Sequence, residues 1–173
     1  MGKFEEKLKE FFGDKEKVKE FVKDEEFIDK VSEGTATEQN YIDEFKKFGI
    51  DFTESEAKDI LEKTDKILSI PAEKLDDEAI LNVAGGVSEN VMLGVKIGSG
   101  MSAAIFAGFG LPCGVAALCC AANAKKARNR GDQEEAAKCS KNADTLGKTA
   151  ALCLGGGISV SAGIGAAVAI FGS

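Results

Sequence analysis

The chain has 173 residues, with 22 basic against 29 acidic side chains and neither histidine nor tryptophan. Without histidine no imidazole general base and no Cys/His zinc site can be built, and the five cysteines contain no C-x-x-C pair. No catalytic residue, metal ligand or cofactor is therefore expected. The charge is also divided: residues 1–86 hold 24 acidic and 14 basic residues, a net −10, whereas residues 87–173 hold 8 basic and 5 acidic, a net +3. Such a split argues for two parts with different surroundings, and the acidic part is a poor match to nucleic acid. The N-terminus, MGKFEEKLKEFF, has no apolar run of the kind a secretory signal needs.

The predicted elements of the first half are amphipathic helices. Phe4, Leu8, Phe11 and Phe12 recur at helical spacing, and Gly13-Asp14 marks a break. A second helix then carries Val18, Phe21, Val22, Phe27, Ile28 and Val31 toward a stop near Gly34. Thr35 and Glu38 have the spacing of a capping box before a helix with Tyr41, Ile42, Phe45 and Phe48, which Gly49 ends. Thr53 and Glu56 repeat the box before Ala57, Ile60, Leu61, Ile67 and Leu68, and Pro71 closes that helix.

The junction, LDDEAILNVAGGVSEN, spans residues 75–90. A short helix at about 72–84 would place Leu75, Ala79, Val83 and Ile80 within an arc of about 140°, with Asp76, Asp77 and Glu78 in its first turn, where carboxylates suit the helix dipole. Such a stripe fits a groove in a partner. Gly85-Gly86 would pass a channel too narrow for a β-carbon. These residues resemble the end of the double-glycine leaders of exported bacterial peptides. Residues 21–57, with Gly49, Phe52, Thr53 and Glu56, are similar to the long leader family named after a nitrogen-fixation-associated protein. The resemblance implies an acidic leader over 1–86, recognised through Leu75, Ile80 and Val83. It implies cleavage at Gly85, Gly86 and Val87 by the cysteine-protease domain of a peptidase-containing ABC transporter, and leaves room for a modifying enzyme that also binds the leader.

The second half is apolar and rich in small residues. Residues 97–122 carry no charge over 26 positions and residues 149–173 none over 25, while residues 123–148 between them hold 7 basic and 4 acidic side chains. The predicted fold class is all-α: a helical leader domain followed by a Gly/Ala-rich hydrophobic hairpin, or by a bundle of shorter helices if Pro112 splits the first stretch. Cys113, Cys119, Cys120, Cys139 and Cys153 read as small buried hydrophobes before export. After export they read as candidates for disulfides, or for thioethers to Ser99, Ser102, Thr145, Thr149 or Ser159.

The function expected from the resemblance is the precursor of a bacteriocin-type, membrane-active antimicrobial peptide: a cytoplasmic precursor whose product, residues 87–173, is secreted and meets target membrane lipid. The alternative is an uncleaved two-span membrane protein with a cytoplasmic helical domain, its basic connector lying on the cytoplasmic side.

Overall fold

The computed structural model describes residues 3–75, 79–80 and 103–153. The protein is all-α, and no strand occurs among the described residues. In chain order the helices are α1 (Lys3–Gly13), α2 (Lys15–Lys23), α3 (Glu25–Ser32), α4 (Glu38–Lys46), α5 (Glu54–Leu68), a 3-10 turn (Ala72–Lys74), α6 (Ala103–Asn129) and α7 (Gln133–Cys153).

Two aspartates cut the N-terminal segment into three helices. Asp14 accepts from the amides of Glu16 at 2.9 Å and Lys17 at 3.3 Å, capping α2 at the expected break. Asp24 does the same for α3, accepting from the Phe27 amide at 3.1 Å. The second helix therefore stops at Lys23 instead of running to Gly34, because an aspartate offers its neighbours' amides an alternative to the helical carbonyl. The first capping box is displaced as well. Thr37 and Asn40 form it, not Thr35 and Glu38: the Thr37 amide donates to Asn40 Oδ1 at 3.0 Å, and the Asn40 amide to Thr37 Oγ1 at 3.3 Å. Thr53 and Glu56 cap α5 as expected, with paired contacts of 2.8 and 3.3 Å. Gly49 ends the turn after α4 at φ +75°, a backbone conformation that costs glycine nothing.

The first five helices bury a cluster of aromatic rings. Phe11 meets Phe21 edge-on at 5.6 Å, Phe45 meets Phe52 at 5.2 Å and Phe27 meets Tyr41 at 5.2 Å. Edge-to-face pairs of this kind add attraction beyond their burial. The same core continues into the second half. From Leu111 to Ala122, α6 is buried at every position whose side chain extends from the backbone. A helix apolar all round must be covered all round. Here α7 lies along one side, and α1, α2, α3 and α5 supply contacts on the others. Pro112 sits inside α6 without ending it. Residues 123–148 are themselves mostly helical: α6 extends through Asn129, Gly131 turns the chain at φ +82°, and α7 begins at Gln133. On α7, Ala136, Ala143, Leu146, Ala150 and Ala151 face inward, while Lys138–Glu134 and Lys148–Asp144 pairs at 2.7 and 2.6 Å lie outside.

Candidate functional site

The feature that joins the two halves is the seam between α6 and the acidic helices. Its apolar part is a close approach of α1. Gly114 lies under the ring of Phe12, so near that an added Cβ would meet Phe12 Cζ at 2.5 Å and Cε1 at 2.6 Å. Phe12 is fully buried there. Only a residue without a side chain lets the ring lie against the backbone of α6.

The polar part of the seam is carried by α3. Cys119, Asn123 and Lys126 stand four and three residues apart, on one stripe of α6. Asn123 Nδ2 donates to Ser32 Oγ at 3.1 Å, and Lys126 Nζ pairs closely with Asp29 Oδ1. The buried Cys119 thiol is a neighbour of the Ser32 side chain across the seam. The Lys126 and Asp29 side chains are 32% and 50% exposed, so water competes for both and the pair adds little stability. Behind this stripe Tyr41 is fully buried, its hydroxyl near Thr64, whose own hydroxyl donates to the Ile60 carbonyl at 2.8 Å. Burial pushes the Tyr41 phenol well above its usual range, so it stays neutral.

A second cluster ties the acidic helices to one another. Lys47 Nζ lies 2.6 Å from Asp24 Oδ2 and 2.5 Å from Glu44 Oε2, tying the end of α4 to the junction of α2 and α3. The hydrogen bond from Lys47 holds the Asp24 carboxyl below its ordinary value. Its bonds to Asp24 and then Glu44 raise Lys47. Glu44 is raised by burial, which its bond to Lys47 only partly offsets. Among the described residues no grouping of side chains could hold a metal ion.

Of the residues singled out from sequence, Ile80 is fully buried in the core and Leu75 packs against it. Val83, Gly85, Gly86 and Val87 lie outside the described residues. Cys113, Cys119 and Cys120 are buried and Cys139 is half-buried. The side chain of Cys153, like Ser99, Ser102 and Ser159, is outside the described part, while Thr145 and Thr149 donate to the carbonyls of Lys141 and Thr145 at 3.1 Å. Sequence reasoning missed Phe12 with Gly114, and Asp29 and Ser32 with Asn123 and Lys126. The available signal was the polar stripe itself, since Asn123 and Lys126 stand on the same helical face as Cys119.

Residues 100–162, about a third of the chain, match the model of a family described as CD225, interferon-induced transmembrane protein. No curated protein and no solved structure matches the chain. The family match overturns the resemblance to double-glycine leaders and what followed from it: a bacteriocin-type antimicrobial precursor, made in the cytoplasm, with a secreted product. The stretch that reading would set free is the stretch that resembles membrane proteins. The physical reason for the misreading is plain. A charge-free run of Ala, Gly, Ile and Val suits any helix that leaves water, whether in an exported peptide or a resident membrane protein. The pattern Leu75, Ile80, Val83, Gly85, Gly86 is also short enough for an amphipathic helix followed by a glycine pair to produce it.

Proposed function

We propose that the protein is a membrane protein retained whole, with an apolar hairpin embedded in the bilayer and an acidic helical domain standing in water. The observation that carries this reading is the family match over residues 100–162, which takes in α6, the turn at Gly131 and α7. Composition agrees with it. Residues 103–122 and 149–153 carry no charge and lie away from the turn at Gly131, whereas Lys125, Lys126, Arg128 and Arg130 gather beside it. The apolar end enters lipid, while Lys125, Lys126, Arg128 and Arg130 stay at the headgroups. Among the described residues no helix is long and apolar enough to cross a membrane. The chain is assigned no catalytic role, since it has no histidine to serve as base or ligand.

The test is fractionation of cells that make the full chain. Full-length protein that stays in the membrane pellet after alkaline carbonate extraction, with its original N-terminus, is the expected result. A wholly soluble full-length chain, or a fragment beginning at Val87, would overturn the reading.

A further inference from the structure

We infer that the acidic helical domain is a releasable cover for α6, and that an anionic lipid bilayer takes its place. This rests on the membrane reading above and adds how entry into the membrane is controlled.

Three features of the seam support release. First, what the domain covers is the apolar surface that a bilayer would also cover. Leu111, Val115 and Leu118 are fully buried and share one apolar core with the phenylalanines of the acidic helices. A bilayer can therefore replace the cover without leaving that surface in water. Second, where α1 meets α6 the helix itself presents only a glycine. At Gly114 the interlocking group is the Phe12 ring, which belongs to the cover and leaves with it. Third, the polar ties sit at the rim. Asn123–Ser32 and Lys126–Asp29 are partly exposed, and water or a lipid phosphate can replace either partner.

Charge gives the release its direction. Residues 1–86 carry a net −10 and residues 87–173 a net +3. At an anionic surface the hairpin tip is attracted, the cover is repelled, and lipid phosphates compete with Asp29 for Lys126. All three act toward opening. A zwitterionic bilayer offers the same apolar interior but lacks the repulsion and the competing anions.

The experiment uses the full-length chain with Ser32→Cys, which sets a thiol beside Cys119 across the seam. Oxidation with glutathione disulfide closes a bridge between the introduced thiol and Cys119, releasing two equivalents of glutathione thiol, and peptide mapping identifies the bridge. Flotation is then measured with phosphatidylcholine vesicles and with vesicles containing phosphatidylglycerol. Reduced Ser32→Cys and the unaltered chain are expected to float with the anionic vesicles at least tenfold more than the bridged protein does. They should float less with phosphatidylcholine alone, and added dithiothreitol should restore the bridged protein. Equal flotation of bridged and reduced protein overturns the cover. Failure of every form, including the reduced one, to float with either vesicle overturns the membrane reading itself. Where the bridge does not close, Gly114→Leu decides the matter, because it wedges α1 from α6. It is expected to lower the anionic lipid fraction needed for half-maximal flotation, and an unchanged fraction overturns the cover.

Discussion

Gly114→Ala is the smallest change that tests the seam between α1 and α6. The new Cβ would lie 2.5 Å from Phe12 Cζ, whereas non-bonded carbons settle at about 3.5–4.0 Å, so the ring must move by about 1 Å. Phe12 has little room to do so: it is fully buried and meets Phe11 edge-on at 5.0 Å. Overpacking of this kind costs about 1–3 kcal/mol. Alanine in place of a helical glycine returns about 1 kcal/mol. A net loss of about 1 kcal/mol is expected. In a Phe12→Ala background, itself destabilised by about 3–5 kcal/mol, the obstructing ring is gone. There the same change should stabilise by about 1 kcal/mol. The two effects differ in sign, a coupling of about 2 kcal/mol between the positions. Urea unfolding of the four chains, followed by far-UV circular dichroism, measures it. Additivity within about 0.5 kcal/mol would refute the claim that α1 and α6 meet here closely enough to matter.

Other expectations follow from the same contacts. Thr53→Ala removes the cap of α5 and should cost about 1 kcal/mol in the same unfolding assay, with the mean residue ellipticity of the folded state unchanged. Asp24→Asn keeps the cap of α3 but loses the charge beside Lys47. Because the folded Asp24 pKa is lowered, the stability it contributes is present above the carboxyl's unfolded value and is lost as pH falls through the folded one. The variant should therefore melt below the parent at neutral pH, by the equivalent of about 0.5–1 kcal/mol, and match it in strong acid; a constant gap at all pH values would contradict the ion pair. A water-soluble maleimide should modify the half-buried Cys139 well before Cys113, Cys119 and Cys120, as read by peptide mass mapping without lipid. Equal rates at all four would show that α6 is not covered in solution.

The local turns were the most legible part of the sequence. Gly13-Asp14, Gly49 and the Thr53/Glu56 box act through neighbours a few residues away, so the sequence contains both partners of each interaction. Asp24 was missed because the apolar period continues across it: Val18, Phe21 and Val22 before, Phe27, Ile28 and Val31 after. Periodicity reports which face is buried and is silent about a cap that merely bends the helix. The seam was illegible for another reason. Ser32 and Asn123 are 91 residues apart, and Asp29 and Lys126 are 97 apart. Nothing local to α3 marks it as the partner of α6. The function is misread for a different reason: the short junction motif suits many amphipathic helices, whereas the long apolar stretch beside it carries the family match.

The energetics of α6 explain how weak polar ties can govern a strongly apolar helix. Full exposure of Leu111, Val115 and Leu118 to water would cost about 5–9 kcal/mol at 1.5–3 kcal/mol per side chain. Because α7 stays packed on α6, only part of that is lost on opening, and a loss of about 3 kcal/mol keeps the open form in water below about one molecule in a hundred. A bilayer removes most of this term, because the side chains pass from one apolar surrounding to another. What then remains is the Phe12 ring uncovered on the acidic side, up to about 3 kcal/mol, a half-exposed ion pair of about 0–1 kcal/mol, one neutral hydrogen bond of about 1 kcal/mol, and the attraction or repulsion of a charged surface. Only after the large apolar terms cancel can Asp29, Ser32 and the headgroup charge set the balance. Asp29→Ala should accordingly change stability in water by less than about 1 kcal/mol, yet shift the lipid fraction at half-maximal flotation measurably. An effect of comparable size in both assays would mean that the apolar terms do not cancel and that the cover stays closed on the membrane.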